Sequence, residues 1–334
     1  MVYRICSAWA MSLAQLEDQL QTAVFVECGL SQERAVGWVP PRGQANGPLV
    51  ESVGGQWLLK LMTESKVVPG SVITRKTQER AAEIEKATGR KPGKKEVKDL
   101  KDEARLSLLP MAFTKISSTT VWVDAEARLL MIDAASQGKA DEVLTHLATA
   151  MEGLGAMPIQ TATSPATAMS DWLLTQEPPA GFSIDRECEL KASDDSKAVV
   201  RYARHALDID EVQQHISHGK LPTRLAMTWE GRVSFMLTEA LQIKKVAFVD
   251  GVFQDDGASS KDDRFDADAA IATGEIRQLI PDLLAALGGE VTIGEAAALG
   301  TQAKPAKPAK PLADVAPAAG PAAAPKTQWD SPPF

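Results

Sequence analysis

Three groups of side chains in this sequence have types and spacings that could do chemistry. His215 and His218 stand at i and i+3, which on a helix puts two imidazoles on one face, half of a divalent-metal shell. No third ligand stands near them. They read either as surface histidines or, with Gly219 and Lys220 alongside, as a contact for a phosphate. Residues 262–268, DDRFDAD, are acidic enough to suggest metal-dependent cleavage of phosphodiesters through Asp263, Asp266 and Asp268. They also precede a helical pattern at 268–287, so Asp266 or Asp268 would suit its cap and dipole, with Phe265 as a core anchor. The third group is basic: Arg201, Arg204 and His205, followed by Lys220 and Arg224, where strand alternation could set Arg204 and Lys220 on one surface. The motifs GxxxxGK[ST], GxGxxG and HExxH do not occur. The residues therefore point to neither a cofactor nor a resident metal.

The elements that must carry these groups follow from periodicity. Residues 2–5 read as a strand, and Ser12 with Gln15 forms a capping-box pattern opening a helix with Leu13, Leu16 and Leu20 on one face. Gly37-Trp38-Val39-Pro40-Pro41 predicts a break, because the proline pair demands an extended turn. Residues 56–63, QWLLKLMT, predict a strand antiparallel to the first. Helices are expected over 72–88 and 94–108, around the helix-breaking GRKPG at 89–93. In the second of them Val97, Leu100, Ala104 and Leu108 make one narrow apolar stripe. Strands at 119–124 and 129–134 precede a helix at 139–153 carrying Val143, Leu147 and Met151. Residues 1–70 and 115–160 thus read as one α+β unit, from which residues 71–114 project as a charged helical arm.

Residues 158–179, rich in Thr, Ser, Ala and Pro around a short helix at 169–174, mark a boundary. A second α+β unit, 161–295, is expected to hold strands at 181–190, 198–203, 221–228, 232–237 and 244–250. Its helices fall at 210–218 and 268–287, the latter closed by Gly288-Gly289. Residues 296–334, with their AKPAKPAKP repeat, bury too little to order themselves and predict a disordered tail ending in the anchor-like WDSPPF.

Charge is unevenly spread. The chain of 334 residues carries a net charge of −8, so as a whole it should not adhere to nucleic acid or acidic membranes. Over 75–105, however, eleven Lys and Arg face seven Asp and Glu, a positive surplus of four. That arm reads as a solvated helical hairpin or as a binding surface. The three cysteines, Cys6, Cys28 and Cys188, form neither a disulfide framework nor a CxxC pair, which suits a reducing cytoplasm. No run approaches the roughly 18 apolar residues of a membrane span, and the N-terminal residues lack a signal-peptide pattern. At the junction 108–124, LLPMAFTKISSTTVWVD, Phe113 sits where a polar loop is usual. It either fills the core at a strand start or anchors into another subunit.

Taken in order, GWVPP (37–41), SLLPMAF (107–113), WVD (122–124), HGK (218–220), LAMTW (225–229), RFDAD (264–268) and TGE (273–275) resemble the RdgC family of proteobacterial recombination-associated DNA-binding proteins, over roughly residues 1–290. The resemblance implies an α+β, horseshoe-shaped subunit of centre, helical tip and base, two of which close into a ring-shaped homodimer around duplex DNA. It further implies sequence-independent binding of double-stranded DNA, restraint of RecA-promoted recombination, no enzymatic activity, and a place in the cytoplasm on the nucleoid. By position, Phe113 matches the aromatic of the family's gate, flanked by Leu109 and Pro110. Lys220 matches a residue facing DNA, and Arg204 with His205 replaces a Lys-Gln pair, with Arg201 beside them. Three departures stand out. Met111 occupies the place of an arginine next to the gate, so that this contact is either absent or supplied elsewhere, by Lys115. Met1 aligns inside the family's usual start. The tail is additional, and its Asp330…Pro333-Phe334 ending resembles the tip of single-stranded DNA-binding proteins, so a tail-mediated protein partner is a further expectation.

Overall fold

The computed structural model describes residues 1–5, 11–151, 153–253 and 261–291; the tail and Cys6 lie outside them. Among these residues the chain is mixed α+β, with two antiparallel sheets and seven α-helices. The first sheet contains β1 (Val2–Ile5), β2 (Arg34–Val39), β3 (Val50–Val53), β4 (Gln56–Val67), β5 (Phe113–Asp124), β6 (Leu129–Ile132) and β7 (Ala156–Pro158). Its order is β2-β4-β5-β6-β1-β7, with β3 also paired to β4. Residues 56–63 therefore do not lie beside β1, because β5 and β6 intervene.

Both faces of this sheet are covered. On one, Leu59, Leu61, Val121 and Val123 meet α1 (Leu13–Leu20) and α4 (Gln137–Ala150) through Leu16, Leu20, Val143 and Leu147. Ser12 and Gln15 make the expected reciprocal cap of α1. On the other face, Leu58, Trp122 and Met131 meet the long α7 (Lys261–Ala286) through Phe265, Ile276 and Ile280.

The 37–41 segment corrects the sequence reading. Gly37 and Trp38 lie inside β2, and Trp38 is fully buried. The chain doubles close on itself there: a Cβ on Gly37 would lie 2.4 Å from the Phe25 Cα, so only glycine fits. The proline pair does end the strand in a turn, Pro40 to Gly43, with the Gly43 amide bonded to the Pro40 carbonyl at 3.0 Å.

The second sheet has the order β12-β11-β10-β8-β9, built from β8 (Phe182–Ala192), β9 (Val199–Ala203), β10 (Lys220–Trp229), β11 (Val233–Thr238) and β12 (Ile243–Phe248). Helices α5 (Pro165–Thr175) and α6 (Asp210–Ser217) cover one face, burying Met169, Leu173 and Val212 against Leu190, Leu225 and Met227. Helix α7 serves both cores, since Leu279, Leu283 and Leu287 enter the second one. It starts seven residues before the position read from the sequence. Asp262 and Asp263 occupy its first turn, and Asp266 and Asp268 are interior to it rather than capping it. Polar contacts pin it along its length. Arg277 pairs with Asp124 at 3.1 Å and with Glu126, Arg232 pairs with Glu275, and the Trp229 indole donates to Asp282 at 2.9 Å.

Between β4 and β5 the chain leaves the sheet. Helices α2 (Gly70–Thr88) and α3 (Lys94–Leu108) form a hairpin around Gly89, whose φ of 73° suits the left-handed C-cap. Ile73, Thr77 and Ala104 are its buried helical residues, all near the sheet end. A short 3-10 turn, Leu109–Met111, then returns the chain to β5.

Candidate nucleic-acid interface

The α2–α3 arm carries unpaired charge along its length and an exposed apolar patch at its foot. Of the eleven arm cations, Arg75, Arg80 and Arg90 pair with Glu79, Glu83 and Glu96, and Arg105 reaches Glu33 at 2.6 Å. Lys76, Lys86, Lys91, Lys94, Lys95, Lys98 and Lys101 remain, and no ion pair holds them among the described residues; all but Lys76 are exposed. Ammonium groups left free on a helical hairpin are available to neutralise phosphates.

At the foot of the arm, the first half of β5 pairs only with the last half of β4, in the register Phe113↔Val67 to Ser118↔Met62. Strand β6 reaches β5 only over residues 121–124, so the opposite edge of β5 is open before that point. Phe113 is 88% exposed, which removes it from the core of its own subunit. Met111, Ile116, Leu106 and Val67 are exposed around it, and Val26 and Leu30 extend apolar surface along the loop held by Lys66. Pro110 is also exposed, whereas Leu109 is buried and anchors the 3-10 turn within its own subunit. Lys115 points out from the same open strand. The strands expected at 56–63 and 119–124 extend in the structure to Val67 and back to Phe113, which is why Val67 and Ile116 escaped the sequence reading.

The basic residues of the second sheet fall on two sides of it. Arg224, Glu189 and Arg201 stand in one cross-strand row. Arg201 Nε lies 2.6 Å from Glu189, and Thr223 donates to the same carboxylate at 2.9 Å. Burial raises the Glu189 pKa, but the Thr223 and Arg201 hydrogen bonds outweigh it and hold the carboxyl below its usual range. Arg204, at φ 55°, lines a hollow of about 310 Å³ with Arg186, Glu187 and Lys245. His205 packs on the Tyr202 ring at 5.9 Å and is bonded through Nδ1 to the Ala206 carbonyl. Lys220 lies elsewhere, on the side of α6, with its ammonium 2.8 Å from His215 Nδ1. Arg204 and Lys220 are thus not brought together.

The acidic segment 262–268 is engaged by its neighbours. Arg42 bridges Asp266 and Glu51, stacks 4.7 Å from the Phe265 centroid and donates to the Asp262 carbonyl, while Gln44 donates to the Asp262 carboxylate. Those hydrogen bonds raise the Arg42 pKa. Among the described residues no three His, Cys, Asp or Glu side chains are grouped to hold a metal ion. None of the described helices is long and apolar enough to cross a membrane.

Comparison with known proteins decides the family. The RdgC family model, described as "Putative exonuclease, RdgC", matches residues 1–290. The chain belongs to the RdgC family. It is 41% identical over 295 residues to the recombination-associated protein RdgC of Dechloromonas aromatica, covering 87% of this chain and 96% of that one. It is 44% identical over 292 residues to its counterpart in Janthinobacterium sp. (strain Marseille), covering 87% and 97%. The Cupriavidus pinatubonensis protein of the same name is 44% identical over 291 residues, 86% and 97% of the two chains. Several of the RdgC-like motifs prove to be packing and pinning residues. Trp38 is in the core, Trp122 donates to Gln56 at 2.6 Å, Trp229 reaches α7, and Glu275 of TGE holds Arg232.

Proposed function

We propose that this RdgC-family protein acts in recombination as a non-enzymatic clamp on double-stranded DNA, made of two horseshoe-shaped subunits closed into a ring. In this reading it binds the duplex without sequence preference, restrains RecA-promoted recombination, and resides in the cytoplasm on the nucleoid. The observation that carries the proposal is the α2–α3 arm, whose seven lysines have no ion pair among the described residues, together with the exposed Phe113 at the foot of that arm. Lysines supply phosphate contacts, and an aromatic patch on a rigid ribbon supplies the self-contact that closes a ring. Lys115, Lys220, Arg201, Arg204 and His205 are the further DNA contacts proposed, and Phe113 with Pro110 the gate. A protein partner of the tail is a separate possibility.

Fluorescence anisotropy with labelled duplexes of unrelated sequence tests this. Affinity should fall by orders of magnitude as salt rises from about 50 to 200 mM, with a slope near 0.9 per phosphate neutralised. The K91Q/K94Q/K95Q/K98Q variant should lower that slope, and an affinity insensitive to salt would sink the clamp. The family description names a second activity, exonuclease, and Asp263, Asp266 and Asp268 are the residues to test for it. End-labelled duplex should stay intact with Mg²⁺ or Mn²⁺; digestion lost in D263N/D266N/D268N would replace the clamp reading with that one.

A further inference from the structure

The face of the second sheet opposite α5 and α6 is irregular at one place. Against Ala226 of β10, strand β8 passes three residues, Asp185 to Glu187, between the pairs Leu225↔Cys188 and Met227↔Ile184. Across the sheet, β12 sets Lys245 and Val246 against the single Phe235 of β11, with Lys245 at φ 50°. After β9 the chain takes Arg204 at φ 55°, and the His205 amide then donates to the Arg186 carbonyl at 3.1 Å. Extra residues and left-handed backbone at non-glycine positions cost energy and re-aim side chains, and they concentrate where a ligand is held. All three irregularities surround the hollow of about 310 Å³, which the small side chains of Ala226 and Ser234 help to line.

Arg186 and Arg204 border the hollow, both are exposed, and neither guanidinium has an ion pair or hydrogen bond among the described residues. The charges beside them are already engaged. Lys245 donates to Glu187 at 2.8 and 3.1 Å, and the Thr228 hydroxyl donates to Asp185 at 2.9 Å. Arg186, Arg204 and Lys245 against Asp185 and Glu187 leave one positive charge at the hollow. Guanidinium forks match the oxygens of a phosphate in pairs. A hollow at the lower limit of ligand-sized cavities, about 300–1,000 Å³, admits one such group. We propose that this hollow is a phosphate site in which Arg186 and Arg204 clasp the same group. Two sources carry that chemistry: the backbone of a bound duplex, which rests on the clamp reading above, and a free nucleotide.

A double-mutant cycle in full-length protein, with R186Q, R204Q and the pair, tests this. Each single change should weaken duplex binding about fivefold, the worth of one exposed charge contact. Because both forks hold one phosphate, the pair should lose less than about tenfold rather than about 25-fold. The salt slope should fall by about 0.9 in the pair, one phosphate, rather than about 1.8. Ala226→Leu leaves both charges in place and fills the hollow, and should match the pair; if melting shows it unfolded, the exposed arginines carry the test. Calorimetric titration with AMP assigns the source. Heat that disappears in R186Q/R204Q selects the free nucleotide, and no heat beside the duplex losses above selects the backbone. Losses that multiply, with a slope change near about 1.8, mean two separate surface contacts and overturn the site. Unchanged duplex affinity without heat from AMP overturns it as well. A duplex affinity insensitive to salt counts against the clamp alone, since AMP reads the hollow directly.

Discussion

Strands β4 and β5 are twelve residues each, and their two halves have different fates. At the end where Trp57 pairs with Val123, β3 and β6 flank them and helices cover both faces; residues 121–124 of β5 are all buried. At the end where Val67 pairs with Phe113, β5 has only β4 beside it, β4 itself being flanked by β2 as far as the Arg34↔Ser65 pair, and residues 113–118 are all exposed. Pairing with β4, which β2 backs, and the buried Leu109 at the foot of the α2–α3 hairpin hold this half of β5, so the ribbon persists while its apolar side chains stay uncovered. The same alternating pattern thus builds a core in one half and a surface awaiting a partner in the other.

The sharpest way to break this contrast is to remove an aromatic from the covered half. Trp38 is fully buried beside Leu59 and Leu61, and its indole nitrogen has no hydrogen-bond partner among the described residues. Trp38→Ala should cost about 3–5 kcal/mol, from lost burial and the cavity left behind. Urea unfolding measures it; a loss below about 1 kcal/mol would mean that the sheet does not depend on that face.

Next in size is the lock between the first sheet and α7. Arg42 is mostly buried and satisfies Glu51 and Asp266 while stacking on Phe265. Arg42→Ala would strand Glu51, whose side chain is only 10% exposed, and should destabilise by about 2–3 kcal/mol. Arg42→Lys should recover part of that, because Lys keeps the charge but not the two-pronged geometry. Equal melting of both variants and wild type would show that α7 is held by its apolar contacts alone.

Why some of this was legible beforehand and some was not follows from the range of the interactions. The helical arm, its Gly89 turn and the strands of the second sheet are local patterns, and they lie within a few residues of their expected places. The continuation of β2 through Gly37, Trp38 and Val39 was hidden because it depends on the close approach of Phe25, a contact that the proline pair gives no hint of. The early start of α7 was hidden for a similar reason: Arg42, more than 200 residues away in sequence, takes the carboxylate that looked like a cap. Phe113 could be singled out from sequence, but whether it was core or surface could not, since that depends on where β6 stops pairing. Lys220 and Arg204 are apart because they stand at well-separated points along β8, Lys220 across from Ala192 and Arg204 just past the Ala203↔Glu187 pair, a register that alternation within one strand cannot foresee.

The smallest expected effect on the fold is the most informative about the other half of the ribbon. Phe113→Ser removes an aromatic that is 88% exposed, so the melting of an isolated subunit should move by no more than about 0.5 kcal/mol. If the exposed patch closes a ring, the same change should cost at least about 2 kcal/mol at each copy of the contact, some 30-fold in its dissociation constant. Sizing over a dilution series should then show wild-type protein holding its assembly at concentrations where the variant opens. The salt slope for short linear duplex should be retained, because the lysines are untouched, while dissociation from closed circular duplex should become faster. A large loss of melting temperature would instead place Phe113 against its own chain, and the difference between the two halves of β5 would disappear. Unchanged sizing with unchanged melting would leave the ribbon uncovered in the assembly, and the ring would need another contact to close it.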